Sequence, residues 1–381
     1  MKIRGYGWAV LCIALGGLNA AQAGMVVEVR DPRFFEQQQA VIFPKAEVKL
    51  VTFEFEAVGD DQRGKQRAKE LHRQFLAKIH DLQGGAIITF VTPAGQKIEN
   101  YRVQAERVAK EQHAQMVLWG RIMVDRAGTP LINARLMLIE PPPGISADYK
   151  KFAELDRNSF PVGVSGVIDA PVTQWRIDFN TVENDVTPLA LYLSGLARYY
   201  KGAVRGGGEA ARWLNGSIAD FKAYVAALPE TADRGALSQA HLYLARAYVR
   251  LADAAPARTA AHLDAARRHG ELAAKLNPFD AAVPTVQAVI AARQGARLTE
   301  LRSKLAQAVN MAPADGNARV NLAVLDSAQG KVGDALLQLD NANFVQEAQQ
   351  KAALPAVDKL RRQLAPYADR VAPSSSAAPS R

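Results

Sequence analysis

The chain has 381 residues, of which 49% are apolar and 22% charged, with a formal net charge of +9 and one cysteine. That length suits two domains with real cores. Its basic residues are dispersed, with no run interleaved by aromatics, which excludes a dedicated nucleic-acid surface; one cysteine excludes a disulfide framework and a thiolate metal site.

The chain opens on Lys2 and Arg4, followed by an apolar stretch from Trp8 to Leu18 and the small-x-small pattern Ala21-Gln22-Ala23. This is the layout of a secretory signal cleaved near Ala23. The apolar stretch is about half of the roughly 20 residues that a membrane span needs. Cys12 follows Leu11 inside the apolar core, so a lipid anchor is not expected. Residues 1–23 are therefore expected to be removed, with the cysteine, leaving a periplasmic chain without a transmembrane segment. Lys2 and Arg4 hold two of the nine net positive charges, and the remaining seven support a mild attraction to anionic partners.

Residues 24–187 alternate strand and helix patterns. Val26 to Val29 is a short strand candidate, and Val48 to Phe55 places Val48, Leu50, Phe53 and Phe55 among polar neighbours. Asp60-Asp61 can cap a helix from about Gln62 to Leu82, with Leu71, Phe75, Ile79 and Leu82 on one face and Gly84-Gly85 as its stop. Ala86 to Val91 reads as a compact strand, and Asn100 can cap a second helix to about His113. Met116 to Val124 and Leu131 to Ile139 form a hairpin around Arg126-Ala127-Gly128, and Pro141-Pro142-Pro143-Gly144 ends it. Trp175 to Val182 alternates and is expected to join this first domain. The order implies an α/β domain with a mixed sheet. The hairpin residues Met116-Val117-Leu118-Trp119-Gly120-Arg121-Ile122 and Ile132-Asn133-Ala134-Arg135-Leu136-Met137-Leu138-Ile139, with the Val48 to Phe55 strand, carry a resemblance to TolB N-terminal domains and to the curli secretion lipoprotein, with a core at about 46–140. No β-propeller pattern follows, so the Tol protein's own role is not implied.

After residue 188 alanine and leucine dominate and strand patterns vanish. Leu322-Ala323, Ala335, Leu339 and Ala342 form one spaced set of small and large apolar residues, with Gly330 within it. Ala288-Val289, Leu301, Leu305, Ala308 and Pro313 repeat the spacing one unit earlier. Leu244-Ala245 and Tyr248, with Ala266, Ala273 and Pro278, give a third unit with an overlong loop around Ala254 to Ala261. Leu196-Ala197 and Tyr200, with Phe221 and Pro229, give a weaker one with a loop at Gly206-Gly207-Gly208. The pattern resembles tetratricopeptide repeats (TPR), which implies an all-α helical repeat array over 188–365; an irregular helical bundle is the plainer alternative. A last helix, about Ala353 to Leu364 and containing Arg361, can cap the stack. Residues 366–381 form a tail whose Ser/Pro/Ala end, from about Ala372, cannot bury apolar surface.

No catalytic constellation emerges. None of His72, His80, His113, His241, His262 and His269 has a metal-ligand spacing, and His72 and His80 read as solvent-edge helix residues. Gly206-Gly207-Gly208 lacks the Lys-Ser/Thr pair of a phosphate loop, and Gly163-x-Ser165 lacks the glycine spacing of a nucleophile elbow. No metal, cofactor or enzymatic activity is expected. The TPR resemblance implies a concave wall lined by fixed positions of the first helices, here Arg198, Lys201, Arg246, Arg250, Arg293 and Asn317, with Val324 and Ser327. Forked arginines there would hold an acidic stretch or a C-terminal carboxylate segment of a protein partner. The expected function is an adaptor or assembly factor of the cell envelope. A periplasmic small-molecule or sensory protein using the α/β domain is the alternative, and a hydrolase lacks its residues. The identity of the partner and the oligomeric state are not encoded in any of these patterns.

Overall fold

The structure, a computed structural model, describes residues 26–28, 48–58, 62–83, 88–91, 107–109, 111, 113–124, 130–138, 145–147, 167–168, 177–182, 186–228, 232–348 and 355–368. The expected signal segment, Asp60-Asp61, Gly84-Gly85, Asn100 and Gly163-x-Ser165 lie outside the described residues. The chain divides into two compact units, one from 1–142 and 173–236, the other from 143–172 and 237–381.

The first unit is built on a mixed sheet. Its strands are β1 (Val26–Glu28), β2 (Lys49–Thr52), β3 (Glu56–Ala57), β4 (Ile88–Val91), β5 (Met116–Val124), β6 (Pro130–Leu138) and β9 (Ile177–Val182), in the order β1-β4-β2-β5-β6-β9. The β1–β4, β4–β2 and β2–β5 pairs are parallel, and the β5–β6 and β6–β9 pairs are antiparallel. Helix α1 (Gln62–Gln83) makes the crossover between β3 and β4. β2 and β3 pair with one edge of β5: Thr52 stands opposite Leu118 and Glu56 opposite Arg121. Three residues of one strand thus span two of the other, a bulge that kinks the strand at Phe53–Phe55.

The sequence reading of β2 as one-sided needs correction. Val48, Leu50, Val51, Thr52, Phe53 and Phe55 are all buried. A central parallel strand is covered on both faces, so alternation is lost. Val51, Phe53, Val117, Trp119 and Met137 pack with Ala109 and Ala114 in one cluster. The α1 stripe of Ala68, Leu71, Phe75 and Ile79 is buried, as its spacing requires.

Helices α2 (Thr187–Ala203) and α3 (Gly207–Ala227) complete this unit, with α2 also packing on α1. Glycine sets how closely they approach. A Cβ on Gly195 would lie 3.0 Å from the Phe221 ring, and one on Gly202 would lie 2.7 Å from Leu214 Cγ. The expected glycine-rich loop is only Val204–Gly206, because Gly207 and Gly208 already begin α3. This hairpin falls within the first compact unit.

The second unit holds α4 (Arg234–Ala254), α5 (Thr259–Leu276), α6 (Ala282–Arg293), α7 (Leu298–Met311), α8 (Gly316–Ala328), α9 (Val332–Ala348) and α10 (Pro355–Ala368). The first turn of α4 counts with the first unit. The overlong loop expected near Ala254 is taken up by longer helices and a single 3-10 turn, Pro256–Arg258. Ala245, Ala266, Ala273, Ala288, Ala308, Ala323, Ala335 and Ala342 are all 0% exposed, with Leu301, Leu305 and Leu339 beside them. Small side chains at the crossings let the helices approach, and leucines fill the flanks. Gly295 (φ 83°) and Gly330 (φ 75°) take left-handed conformations at the α6–α7 and α8–α9 turns, which favour glycine. A two-strand ribbon, β7 (Ser146–Ala147) and β8 (Val167–Ile168), packs on α6, and β8 also on α8; Ile145 enters the same core.

Candidate functional site

In the first unit, Arg198 on α2 is committed to its own surroundings. Its Nη2 donates to the carbonyl of Leu82 at 2.5 Å, and its Nε lies 3.3 Å from Asp220 Oδ2 on α3. The Ser194 hydroxyl donates to the same carboxylate oxygen. Burial raises the Asp220 pKa, and the Ser194 hydrogen bond and the Arg198 charge draw it back down. Arg198 thus ties the end of α1 to the α2–α3 hairpin. Lys201 Nζ sits 4.0 Å from the centre of the Trp213 ring.

In the second unit, Arg246 is 2% exposed, with its guanidinium 5.1 Å from the Tyr243 ring. Arg250 and Arg293 are half-buried, and Arg293 pairs with Asp253. Asn317 stands in the first turn of α8, with its side chain outside the described residues. Val324 and Ser327 are buried, and the Ser327 hydroxyl donates to Ala323 O at 2.7 Å. Arg198 and Lys201 belong to one unit, and Arg246, Arg250 and Arg293 to the other. Arg250 and Arg293 are the arginines of that second set with solvent contact.

Sequence spacing missed three polar arrangements. His72, read as a solvent-edge residue, is 3% exposed, and neither of its ring nitrogens has a hydrogen-bond partner among the described residues. It packs edge-on to Phe55 at 4.9 Å, and burial pushes its pKa down to about 4. His241 on α4 meets His269 on α5, and Tyr248 stacks on both His269 and His262. Asp326 is 0% exposed at the end of α8 and takes a 2.7 Å hydrogen bond from Arg302 Nε. A buried residue and an exposed one three positions apart are indistinguishable until the partner helix is placed.

A cleft of about 370 Å³ lies among α7, α8 and α9, lined by Ala306, Val309, Asn310, Arg319, Leu322 and Gln338 together with Pro313. Among the described residues no group of three or more His, Cys, Asp or Glu could hold a metal ion, and no helix is long and apolar enough to cross a membrane.

No known protein family matches the chain, and no curated protein matches it. Among solved structures it is similar, over 47% of its length and 86% of the other chain, to TTC0263, a thermophilic TPR protein of Thermus thermophilus, at 21% identity and a TM-score of 0.34. It is similar to YrrB, a TPR protein with an unusual peptide-binding site, over 49% of this chain and 81% of that one, at 20% identity and a TM-score of 0.29. It is also similar to the TPR2AB domain of yeast Sti1 in a complex with pHSP90, over 47% and 85% of the two chains, at 16% identity and a TM-score of 0.25. On its own packing, with small residues buried at each helix crossing from α4 to α9, this part of the chain is a TPR-like helical region.

Proposed function

We propose that this protein is a non-enzymatic adaptor or assembly factor of the cell envelope that holds a protein partner on its helical region. The supporting observation is the packing of α4 to α9, in which small residues are spent on the seams between helices while Arg250 and Arg293 keep contact with solvent. Those two side chains, Arg293 already paired with Asp253, would add positive charge beside an acidic or carboxylate-bearing segment. Arg246, buried as it is, supports the seam and not the partner. The envelope location rests on the leader-like residues 1–23, and the TolB-like reading of the sheet unit on its strand and helix order.

Affinity capture from envelope extracts tests the reading, comparing the wild type with an Arg250→Glu, Arg293→Glu double variant. Loss of the captured partner with an unchanged melting midpoint is expected. Undiminished capture by the double variant would remove these arginines from the site.

A further inference from the structure

Helix α1 carries its charges against the rules that favour a helix. Its first turn holds no acidic residue. Arg63, Lys65, Arg67 and Lys69 crowd the end where the helix dipole already places positive charge. Lys65, Lys69 and Arg73 follow one another at four-residue intervals, so like charges are neighbours on the helix surface and repel. All three are exposed. The helical repeat puts them on one stripe and sets Glu70 and Asp81 on the other edge of the solvent face, beside Arg63. Glu70 there takes a hydrogen bond from Gln74 Nε2 at 3.0 Å. The side chains of Lys69 and Arg73 form no ion pair or hydrogen bond among the described residues. A local rule broken with no compensating contact in the fold is characteristic of a binding surface.

The stripe is the crest of a helix and runs about 12 Å from Lys65 to Arg73. The opposite side of α1 is committed to the sheet, with Leu71, Phe75 and Ile79 buried, so the helix meets a partner by charge and not by inserting its apolar side. A convex crest has no groove to grip a peptide strand, and the exposed residues of α1 include no Phe, Tyr or Trp on which a base could stack. Long cationic side chains along a convex line suit anions that are many, mobile and laid out in a plane. A bilayer with acidic phospholipid presents its phosphates in that way, and the proposed envelope location puts one within reach.

We propose that Lys65, Lys69 and Arg73 dock the sheet-bearing unit on the surface of an anionic phospholipid bilayer. This surface lies on α1, apart from Arg250 and Arg293, and goes beyond the protein-binding reading of the helical region.

Co-sedimentation of the chain from Gly24 onward, which leaves out the leader-like apolar stretch, tests it. The probes are vesicles of phosphatidylethanolamine with phosphatidylglycerol and vesicles of phosphatidylcholine. Binding to the acidic vesicles alone is expected. It should be lost in about 0.5 M salt, where screening acts well within the roughly 8 Å of physiological strength. Each basic residue at such a surface contributes about fivefold to binding, so joint Lys65→Gln, Lys69→Gln and Arg73→Gln should weaken it at least tenfold. A second triple variant, Arg258→Gln, Arg297→Gln and Lys331→Gln, removes the same charge from exposed positions of the helical region and should stay within about threefold of the wild type. The first triple variant relieves like-charge repulsion, so its melting midpoint should not fall. A lower midpoint would show that the stripe serves the fold and would overturn the proposal. Equal binding to both vesicle types, binding to neither, or equal losses in the two triple variants would also overturn it. Tighter binding to polyglutamate than to the acidic vesicles, at matched anion concentration, would reassign the stripe to an acidic protein. Partner capture through Arg250 and Arg293 needs no vesicle, so this surface and the adaptor reading fail separately.

Discussion

His241 and His269 meet end to end across the α4–α5 seam, Nδ1 to Nδ1 at 3.0 Å with ring centres 5.2 Å apart. The centre separation is nearly the nitrogen separation plus the two ring radii, so a single N–H···N hydrogen bond joins them. One Nδ1 donates and the other accepts, and charging both rings would set two N–H groups against each other. Burial holds the His241 pKa below its ordinary 6.5. The unfolded chain therefore takes up this proton first, and the contribution to stability present above 6.5 is lost as the pH falls from there through the lower folded value. His269→Ala is expected to cost about 1 kcal/mol at pH 8 and less at pH 5. Urea unfolding at the two pH values checks this, and equal losses would count against it.

His72 predicts a larger acid dependence in the first unit. Its folded pKa of about 4, set by burial, lies below the unfolded 6.5. Stability should fall as the pH drops from 6.5 towards 4, by about 3 kcal/mol across that window. His72→Leu removes the titration and two unpartnered ring nitrogens. It should raise stability at pH 7 by about 1 kcal/mol and flatten the acid limb. A variant that keeps the wild-type slope in pH-dependent melting would assign the slope to other groups.

The Arg302–Asp326 pair makes an asymmetric prediction. Burial raises the Asp326 pKa, while the Arg302 hydrogen bond and charge lower it. Arg302→Ala leaves a buried carboxyl without its partner and should cost about 2 kcal/mol. Adding Asp326→Asn should restore part of that loss. Additive effects in the double-mutant cycle would show that the pair is not coupled.

Two glycines separate close packing from chain entropy. Gly202→Ala drives a methyl group into Leu214 and should cost about 2 kcal/mol by overpacking the α2–α3 seam. Gly208 has nothing within 4 Å of its added Cβ. Gly208→Ala should be neutral or stabilising by about 0.5 kcal/mol. Thermal unfolding of the two variants reads the contrast directly; similar midpoints would contradict it.

The repeat spacing was legible because it is a constraint on size. Only a small side chain fits a helix crossing, so Ala273, Ala308 and Ala342 announce their burial by type and interval. The strands β5 and β6 were equally legible, because they are long and joined in sequence. The candidate groove was less so. Helical position gives a side chain's direction but not what stands opposite, so Arg246 and Arg250 look alike in sequence and differ in exposure. The ribbon of β7 and β8 gave no signal, since two-residue strands are too short for any period.

The chain passes between its units three times, because 143–172 and 173–236 fall on alternate sides. No single cleavage can therefore release either unit whole. A fragment starting at 188 would keep the α2–α3 hairpin without its sheet and lose the ribbon that covers α6 and α8. Cuts near 142, near 172 and after 236 would all be needed to part them.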